Sequence, residues 1–353
     1  MVAMFALLTT ILLSTLPQQG TIAFISNTDT GAQLCVFDVA TEAVTPLGPG
    51  SDDAHPRWSP DGTRIAFTTH TDEGTRIAVA YPEEERYELL PNAASLNRSP
   101  RWNANGQYLA YESGLFPDTS LTVYSFSTNS ETIWGGNAQR LMRPVWTSND
   151  NFLQSSFIEK GATSRLEQSS LLAIQLTQTS EGDSWTTRLV AVTQEQIFPI
   201  MDWVYDFPDE EHTEWSVEPS RGDQALAYES NDGGDRELFI ARKGAVFDVS
   251  NHRAADWNPT WSPDGKWVAY DTFRNSRRAV YRAHRDSGRH LPVAQHENID
   301  YWAPFWLPDS EHLIYLQEEN NYVQLVLSTA DASESRVLSI DVQEIRSPQW
   351  KPE

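Results

Sequence analysis

Short apolar runs alternate with tight polar turns along almost the whole chain, a pattern that suits strands and leaves little room for helix. One unit recurs: Pro-x-Trp, a polar turn ending in Gly or Asn, then an apolar strand with a small residue followed by an aromatic one. It reads Pro56-Arg-Trp-Ser-Pro-Asp-Gly-Thr-Arg-Ile-Ala-Phe67 and Pro100-Arg-Trp-Asn-Ala-Asn-Gly-Gln-Tyr-Leu-Ala-Tyr111, and returns as Pro259-Thr-Trp-Ser-Pro-Asp-Gly-Lys-Trp-Val-Ala-Tyr270. Degraded copies begin at Pro144 and Pro304, and one with a longer turn runs from Glu214 to Tyr228. The last is Pro348-Gln-Trp-Lys-Pro-Glu353. The tryptophans of these copies stand at positions 58, 102, 146, 215, 261, 306 and 350, at intervals of 44, 44, 69, 46, 45 and 44 residues.

A period near 44 matches a four-stranded propeller blade, which takes about 40–45 residues. The chain therefore reads as all-β, a seven-bladed β-propeller of four-stranded antiparallel blades. Pro-x-Trp is the innermost strand, and Ser-Pro-Asp-Gly is a hairpin turn whose Pro and Gly meet the φ demands. The single long interval predicts an insertion around 176–213. The strand from Thr21 to Ser26 has no Trp before it, and Trp350 has no strand after it. The two ends are thus expected to share one blade and close the ring, leaving few unpaired edges. The domain reading is a leader over 1–19 and one propeller over 20–353.

Residues 1–16 carry no charged side chain and are followed by Pro17. The run is short for a membrane span, which needs about 20 residues, but suits the apolar region of a signal peptide. No Lys or Arg precedes it, and no clean small-x-small cleavage site follows. An ordinary buried helix is the competing reading. The expectation is export, periplasmic or secreted, with the residues before Gly20 dispensable to the ring and no integral membrane domain after leader removal.

Charge narrows the function classes. Against 26 Lys+Arg stand 49 Asp+Glu, a formal net charge of −23. This acidic protein lacks the basic surface that nucleic-acid binding requires, and the same balance opposes docking on anionic lipid. One cysteine, Cys35, excludes an intrachain disulfide and a multi-thiolate metal site. Cofactors are expected to be none, and the chain is read as a monomer.

The motif Pro-x-Trp-Ser-Pro-Asp-Gly-x-x-Ile-Ala-Phe/Tyr, with turns such as Ser230-Asn-Asp-Gly-Gly234, resembles the TolB-type WD-like propeller repeat. The resemblance covers nearly all of 20–353 and is closest over 56–67 and 259–270. It implies the propeller fold and says little of function, because similar blades occur in TolB and in prolyl-oligopeptidase-like peptidases. TolB itself has six such blades after a small α/β domain, for which this chain has no room, so the resemblance is to the repeat family and not to TolB.

Candidate chemistry is sparse. The repeat tryptophans are read as inter-blade core, and Asp61, Asp232 and Asp264 as turn residues rather than calcium ligands. No Gly-x-Ser-x-Gly, His-Glu-x-x-His or P-loop motif occurs in this sequence, so oligopeptidase catalysis is not expected of it. The eight scattered histidines make a His-based metal lyase, which such a seven-bladed architecture also resembles, a minor alternative. Metal ligands are read as none and catalytic residues as none.

The functional lead is position within the repeat. Residues just before Pro-x-Trp lead into the innermost strand and should ring the channel mouth. That rim is expected to hold Arg98, Arg143, Arg346, Trp257, Tyr301 and Trp302, with His55 and His212 beside them. Convergent guanidinium and aromatic groups suit a small anionic ligand, or a protein or peptide partner entering the pore. Alternatively, each arginine pairs with a local carboxylate and the aromatics cap the core. The reading is a non-catalytic binding or scaffold module. The runner-up is a polysaccharide lyase or glycosidase working in the channel.

Overall fold

A computed structural model describes residues 14–353 apart from 30, 92–95, 116–117, 137, 139, 147–170, 179–184, 193, 205–216, 221–224, 231–235, 243–244, 251–253, 341, 343 and 353. The described residues form seven four-stranded sheets, all strand pairs within them antiparallel, with one helical turn at Pro82–Glu84. In chain order the innermost strands are Ala54–Trp58, Asn97–Trp102, Leu141–Trp146, Val217–Pro219, Asp256–Trp261, Asp300–Trp306 and Ile345–Trp350. Each touches the next, and the last touches the first, so the ring is closed. Among the described residues no helix is long and apolar enough to cross a membrane.

The closing blade is the expected one. Its innermost strand, Ile345–Trp350, pairs with Thr21–Thr28, which pairs with Gly31–Asp38 and then Ala43–Pro46. Trp350 lies opposite Ile22, as Trp58 lies opposite Ile65 in the first blade, so one register runs through the junction. Gly20 makes the approach possible: a Cβ there would stand 2.1 Å from the Trp350 ring. The stretch before Gly20, expected to be dispensable, also touches the ring. Leu16 is buried in the apolar layer between the sixth and closing blades, and the Thr15 hydroxyl donates to Glu334 at 2.8 Å.

The core is the set of apolar layers between blades, not a single centre. Ala23, Ile25 and Leu34 of the closing blade meet Trp58, Ile65 and Phe67 of the first. The alternation within each strand supplies one apolar face to each neighbour, and the small Ala of Ile-Ala-Phe sits where the faces crowd. The indole N–H of five repeat tryptophans fastens the blade to the one before it. Trp102 Nε1 donates to the Arg57 carbonyl at 2.9 Å, Trp146 to Arg101 at 2.9 Å, and Trp306 to Thr260 at 3.1 Å. Trp58 does the same across the closure, to Gln349 at 3.2 Å. The core reading of these side chains therefore holds: Trp58 and Trp306 are buried, and Trp102 and Trp261 are partly buried against neighbouring clusters.

Two details of the repeat differ from expectation. Pairing places Pro219 opposite Leu226 and Glu218 opposite Ala227, the positions that Trp58 and Arg57 hold opposite Ile65 and Ala66. The position of that copy's tryptophan is thus held by Pro219, and Trp215, four residues earlier in the sequence, lies outside the described residues. The carbonyl of Glu218 receives the Trp261 indole N–H at 2.7 Å, which confirms the alignment. Secondly, the added length does not fill 176–213. Leu171–Gln178, Trp185–Val192 and Ile197–Val204 are ordinary paired strands of the third blade. Trp146 pairs with Leu171, so 24 residues separate partners that are 6 apart between Trp58 and Ile65.

Candidate functional site: the central channel

Six of the seven innermost strands carry, among the described residues, a bulge just before their Pro-x-Trp. In the second blade Arg98 faces Glu112 and Arg101 faces Ala110, so Ser99 and Pro100 together oppose one residue. The same shift recurs between Ala54 and Arg57, Met142 and Val145, Trp257 and Thr260, and Trp302 and Phe305. The first bulged residue is left-handed in all six described cases: His55, Ser99, Arg143, Asn258, Ala303 and Ser347 have φ between 49 and 56°. Non-glycine residues rarely adopt this conformation and keep it only where surroundings enforce it.

Buried carboxylates enforce three of the six. The left-handed turn swings a main-chain N–H off its own ladder toward the previous blade. Arg143 N–H donates to Glu112 Oε1 at 2.8 Å, Asn258 N–H to Glu229 Oε1 at 2.7 Å, and Ala303 N–H to Asp271 Oδ1 at 2.8 Å. All three acids occupy one repeat position, directly after the aromatic of the second strand, and all are buried. Two of them use the second oxygen as well, Arg98 Nε donating to Glu112 Oε2 at 2.7 Å and Asn258 Nδ2 to Asp271 Oδ2 at 2.8 Å, while Arg236 stands 3.6 Å from Glu229 Oε2.

The bulge puts two levels of side chains onto a central cavity of about 360 Å³ bordered by all seven innermost strands. One level is the left-handed set from His55 to Ser347. The other is the middle residue of Pro-x-Trp: Arg57, Arg101, Val145, Glu218, Thr260, Phe305 and Gln349. Three guanidinium groups, those of Arg57, Arg101 and Arg143, therefore reach one cavity from three successive blades. Burial, followed by the charges of Arg57, Arg143, Arg101 and Arg98, pushes the His55 imidazole down to about 3, so it is neutral at physiological pH. Burial holds the Glu218 carboxyl above its ordinary value, opposed by Arg101 and Arg57. Among the described residues no group of three or more His, Cys, Asp or Glu side chains is placed to hold a metal ion.

Of the residues expected on the rim, the structure brings His55 and Arg143 to the cavity. Arg98 turns to Glu112 of its own blade, and Arg346 to Asn27 Oδ1 at 2.6 Å, with Glu344 3.9 Å away. Tyr301 packs edge-on against Tyr315 with ring centres 5.8 Å apart, and Trp302 packs into the apolar layer below the closing blade. Trp257 is paired opposite Asp271 and does not border the cavity. His212 lies outside the described residues, as do Trp215, Glu211 and Tyr205. The physical reason is the bulge. The bulged residue itself enters the cavity, while the residue two before proline lies beyond the bulge and is paired across its own blade, Arg98 opposite Glu112, Trp257 opposite Asp271 and Trp302 opposite Leu316, where it finds its contacts. The residues missed, Arg57 and Arg101, stand inside the Pro-Arg-Trp motif itself. The buried acids were visible as Tyr-Glu, Tyr-Glu and Tyr-Asp at 111–112, 228–229 and 270–271.

No known family's sequence profile matches the chain. The Tol-Pal system protein TolB of Anaeromyxobacter dehalogenans is 24% identical over 136 residues, 38% of this chain and 28% of that protein. TolB of Hydrogenovibrio crunogenus is 26% identical over 104 residues, 27% of this chain and 21% of its own length. The matched segments thus span less than a third of these relatives. Among solved structures, TolB from Acinetobacter baumannii superposes with a TM-score of 0.58 at 14% identity, over 95% of this chain and 67% of that one. The β-propeller domain of a Pyrococcus furiosus protease, described as an open-velcro propeller, gives 0.66 at 13% identity over 93% and 98%. An acylaminoacyl peptidase from Pyrococcus horikoshii gives 0.62 at 13% identity, over 91% of this chain and half of that one. At these identities the structural likeness speaks for the fold alone. The chain is a TolB-like β-propeller, weakly similar to TolB in sequence and alike in fold both to TolB and to the propellers of peptidases.

Proposed function

We propose that the protein is a non-catalytic, extracytoplasmic binding module whose channel receives an anionic group, a carboxylate foremost, carried by a small ligand or a protein segment. The observation that carries this reading is the convergence of Arg57, Arg101 and Arg143 on one cavity in a chain of net charge −23. Cationic groups held together against such a background gain most from an anion that neutralises them, and planar guanidinium groups match carboxylate geometry. The uncharged run over residues 1–16 supports export. A glycosidase would need a second acid facing Glu218, whereas the described wall offers arginine, histidine, hydroxyl, amide and apolar groups there.

The test is calorimetric titration of the full chain with an acetylated peptide bearing a free C-terminal carboxylate and with its amidated twin. The carboxylate form should bind, the amide form should bind at least about tenfold more weakly, and added salt should weaken the difference. Arg101→Ala should reduce binding of the carboxylate form without lowering the melting temperature. Equal binding of the two peptides, or unchanged affinity in Arg101→Ala, overturns the proposal.

A further inference from the structure

A second cavity of about 690 Å³ lies directly beyond the arginine level. Its wall has a different chemistry. The turn residues that follow each repeat tryptophan by two positions line it, Pro60, Ala104, Pro263, Pro308 and Pro352, over the edges of Trp58, Trp306 and Trp350. Phe305 and Gln349 belong to both cavities, so these are consecutive sections of one channel. The repeat explains the ring: the Pro of Ser-Pro-Asp-Gly is selected for turn geometry, and propeller symmetry gathers five such positions round one mouth. Among the described residues the ring carries no charged side chain, in contrast to the section beneath it.

We propose that the channel is bipartite and reads the C-terminal end of an extended peptide, the arginine section taking the terminal carboxylate and the proline–tryptophan mouth taking an apolar side chain upstream of it. This rests on the anion-binding reading above and adds the class of ligand. The spacing follows from the strand itself. Pro60 follows Arg57 by three positions, the last two in the turn after the strand ends at Trp58, so at about 3.3 Å per residue the two levels lie no more than about 10 Å apart. A peptide entering in extended form advances by the same rise. Its side chain two to three residues before the carboxylate therefore meets the proline ring. Both section volumes fall within the usual range of ligand sites, about 300–1,000 Å³, and an apolar wall with a few convergent polar groups is their common form.

Four probes test this on the full chain by calorimetry: acetyl-Phe-Ala-Ala with a free carboxylate, acetyl-Ser-Ala-Ala with a free carboxylate, acetyl-Phe-Ala-Ala amide, and N-acetylphenylalanine as a small aromatic acid. The first should bind most tightly. Replacing its Phe by Ser should cost about tenfold or more, the scale set by burying one large apolar side chain. The double change Pro60→Ser with Pro352→Ser should weaken the Phe peptide and leave the Ser peptide unchanged. Because the Ser peptide reports on the arginine section, it also shows that this variant is folded. If the Phe and Ser peptides bind alike while the amide is weak, the mouth makes no contribution and this inference falls, with the carboxylate site intact. If N-acetylphenylalanine binds as tightly as the tripeptide, the ligand is a small aromatic acid and the peptide assignment is wrong. Binding that ignores the carboxylate, or no binding by any probe, overturns both readings.

Discussion

Glu112 accepts the main-chain N–H of Arg143 at 2.8 Å, so a buried carboxylate of one blade holds the bulge that turns an arginine of the next into the channel. The same acid takes Arg98 Nε on its other oxygen. Structure and site are coupled at this point: the contact that locks two blades together also sets the charge of the cavity.

Glu112→Ala should therefore cost about 2–3 kcal/mol in urea unfolding, because it strands a buried main-chain donor and removes the partner of Arg98. Arg98 is partly exposed, which keeps the figure below that of a fully buried ion pair. Glu112→Gln retains an acceptor for Arg143 and should lose less. Equal losses for the two variants would show that charge, not the acceptor, holds the bulge.

Trp306 separates the packing and hydrogen-bonding parts of the inter-blade joint. Its side chain is buried and its indole N–H meets the Thr260 carbonyl. Trp306→Ala should cost about 3–5 kcal/mol, the range for deleting a large buried aromatic. Trp306→Phe fills most of the space and should cost roughly 1–2 kcal/mol, largely the unpaired carbonyl. Chemical denaturation of both variants gives the comparison.

The closure predicts an effect far larger than the length of chain involved. Removing residues 347–353 deletes Trp350, which lies opposite Ile22 and fills the space left by Gly20. It exposes Ile22, Phe24 and Phe37 on the open face of the closing blade. The melting temperature should fall by many degrees, since an apolar inter-blade layer is lost at once. An unchanged melting temperature would mean that this strand does not seal the ring.

Blade number, strand order and closure were legible because Pro-x-Trp recurs with its own turn, and the register of Trp58 against Ile65 carries through to Trp350 against Ile22. The site was legible only in part. Because they lead into the innermost strand, Arg98, Trp257, Trp302 and Arg346 are expected on the channel. A left-handed bulge at Ser99, Asn258, Ala303 and Ser347 separates them from the cavity level, and no residue type there announces it, since Gly is absent from all six described positions. The acceptor that fixes the bulges at Arg143, Asn258 and Ala303 comes from the previous blade, a contact about 30 residues away. Pro219 hid the register of the fourth blade for a related reason: its tryptophan is missing while a nearby Trp215 imitates it.

The last prediction concerns pH. Asp256 is fully buried near the junction of the fourth and fifth blades, and Glu237 stands beside it. Burial pushes Asp256 up to about 6 and Glu237 up to about 7, with their mutual repulsion adding to the rise at Glu237. In the unfolded chain both acids ionise near their ordinary values of 3.8 and 4.5. Between those values and the folded ones the native state holds protons that the unfolded state has released. Stability supplied by these groups is therefore complete below about pH 4 and is lost as pH rises through 6 to 7. Asp256→Asn removes the buried charge and should flatten the decline, so the variant gains on the parent as pH rises from 5 to 8. Urea unfolding at pH 5 and pH 8 reads this directly. A parent whose stability rises between those two values, with Asp256→Asn rising in parallel, would show that the pair is not protonated in the folded protein.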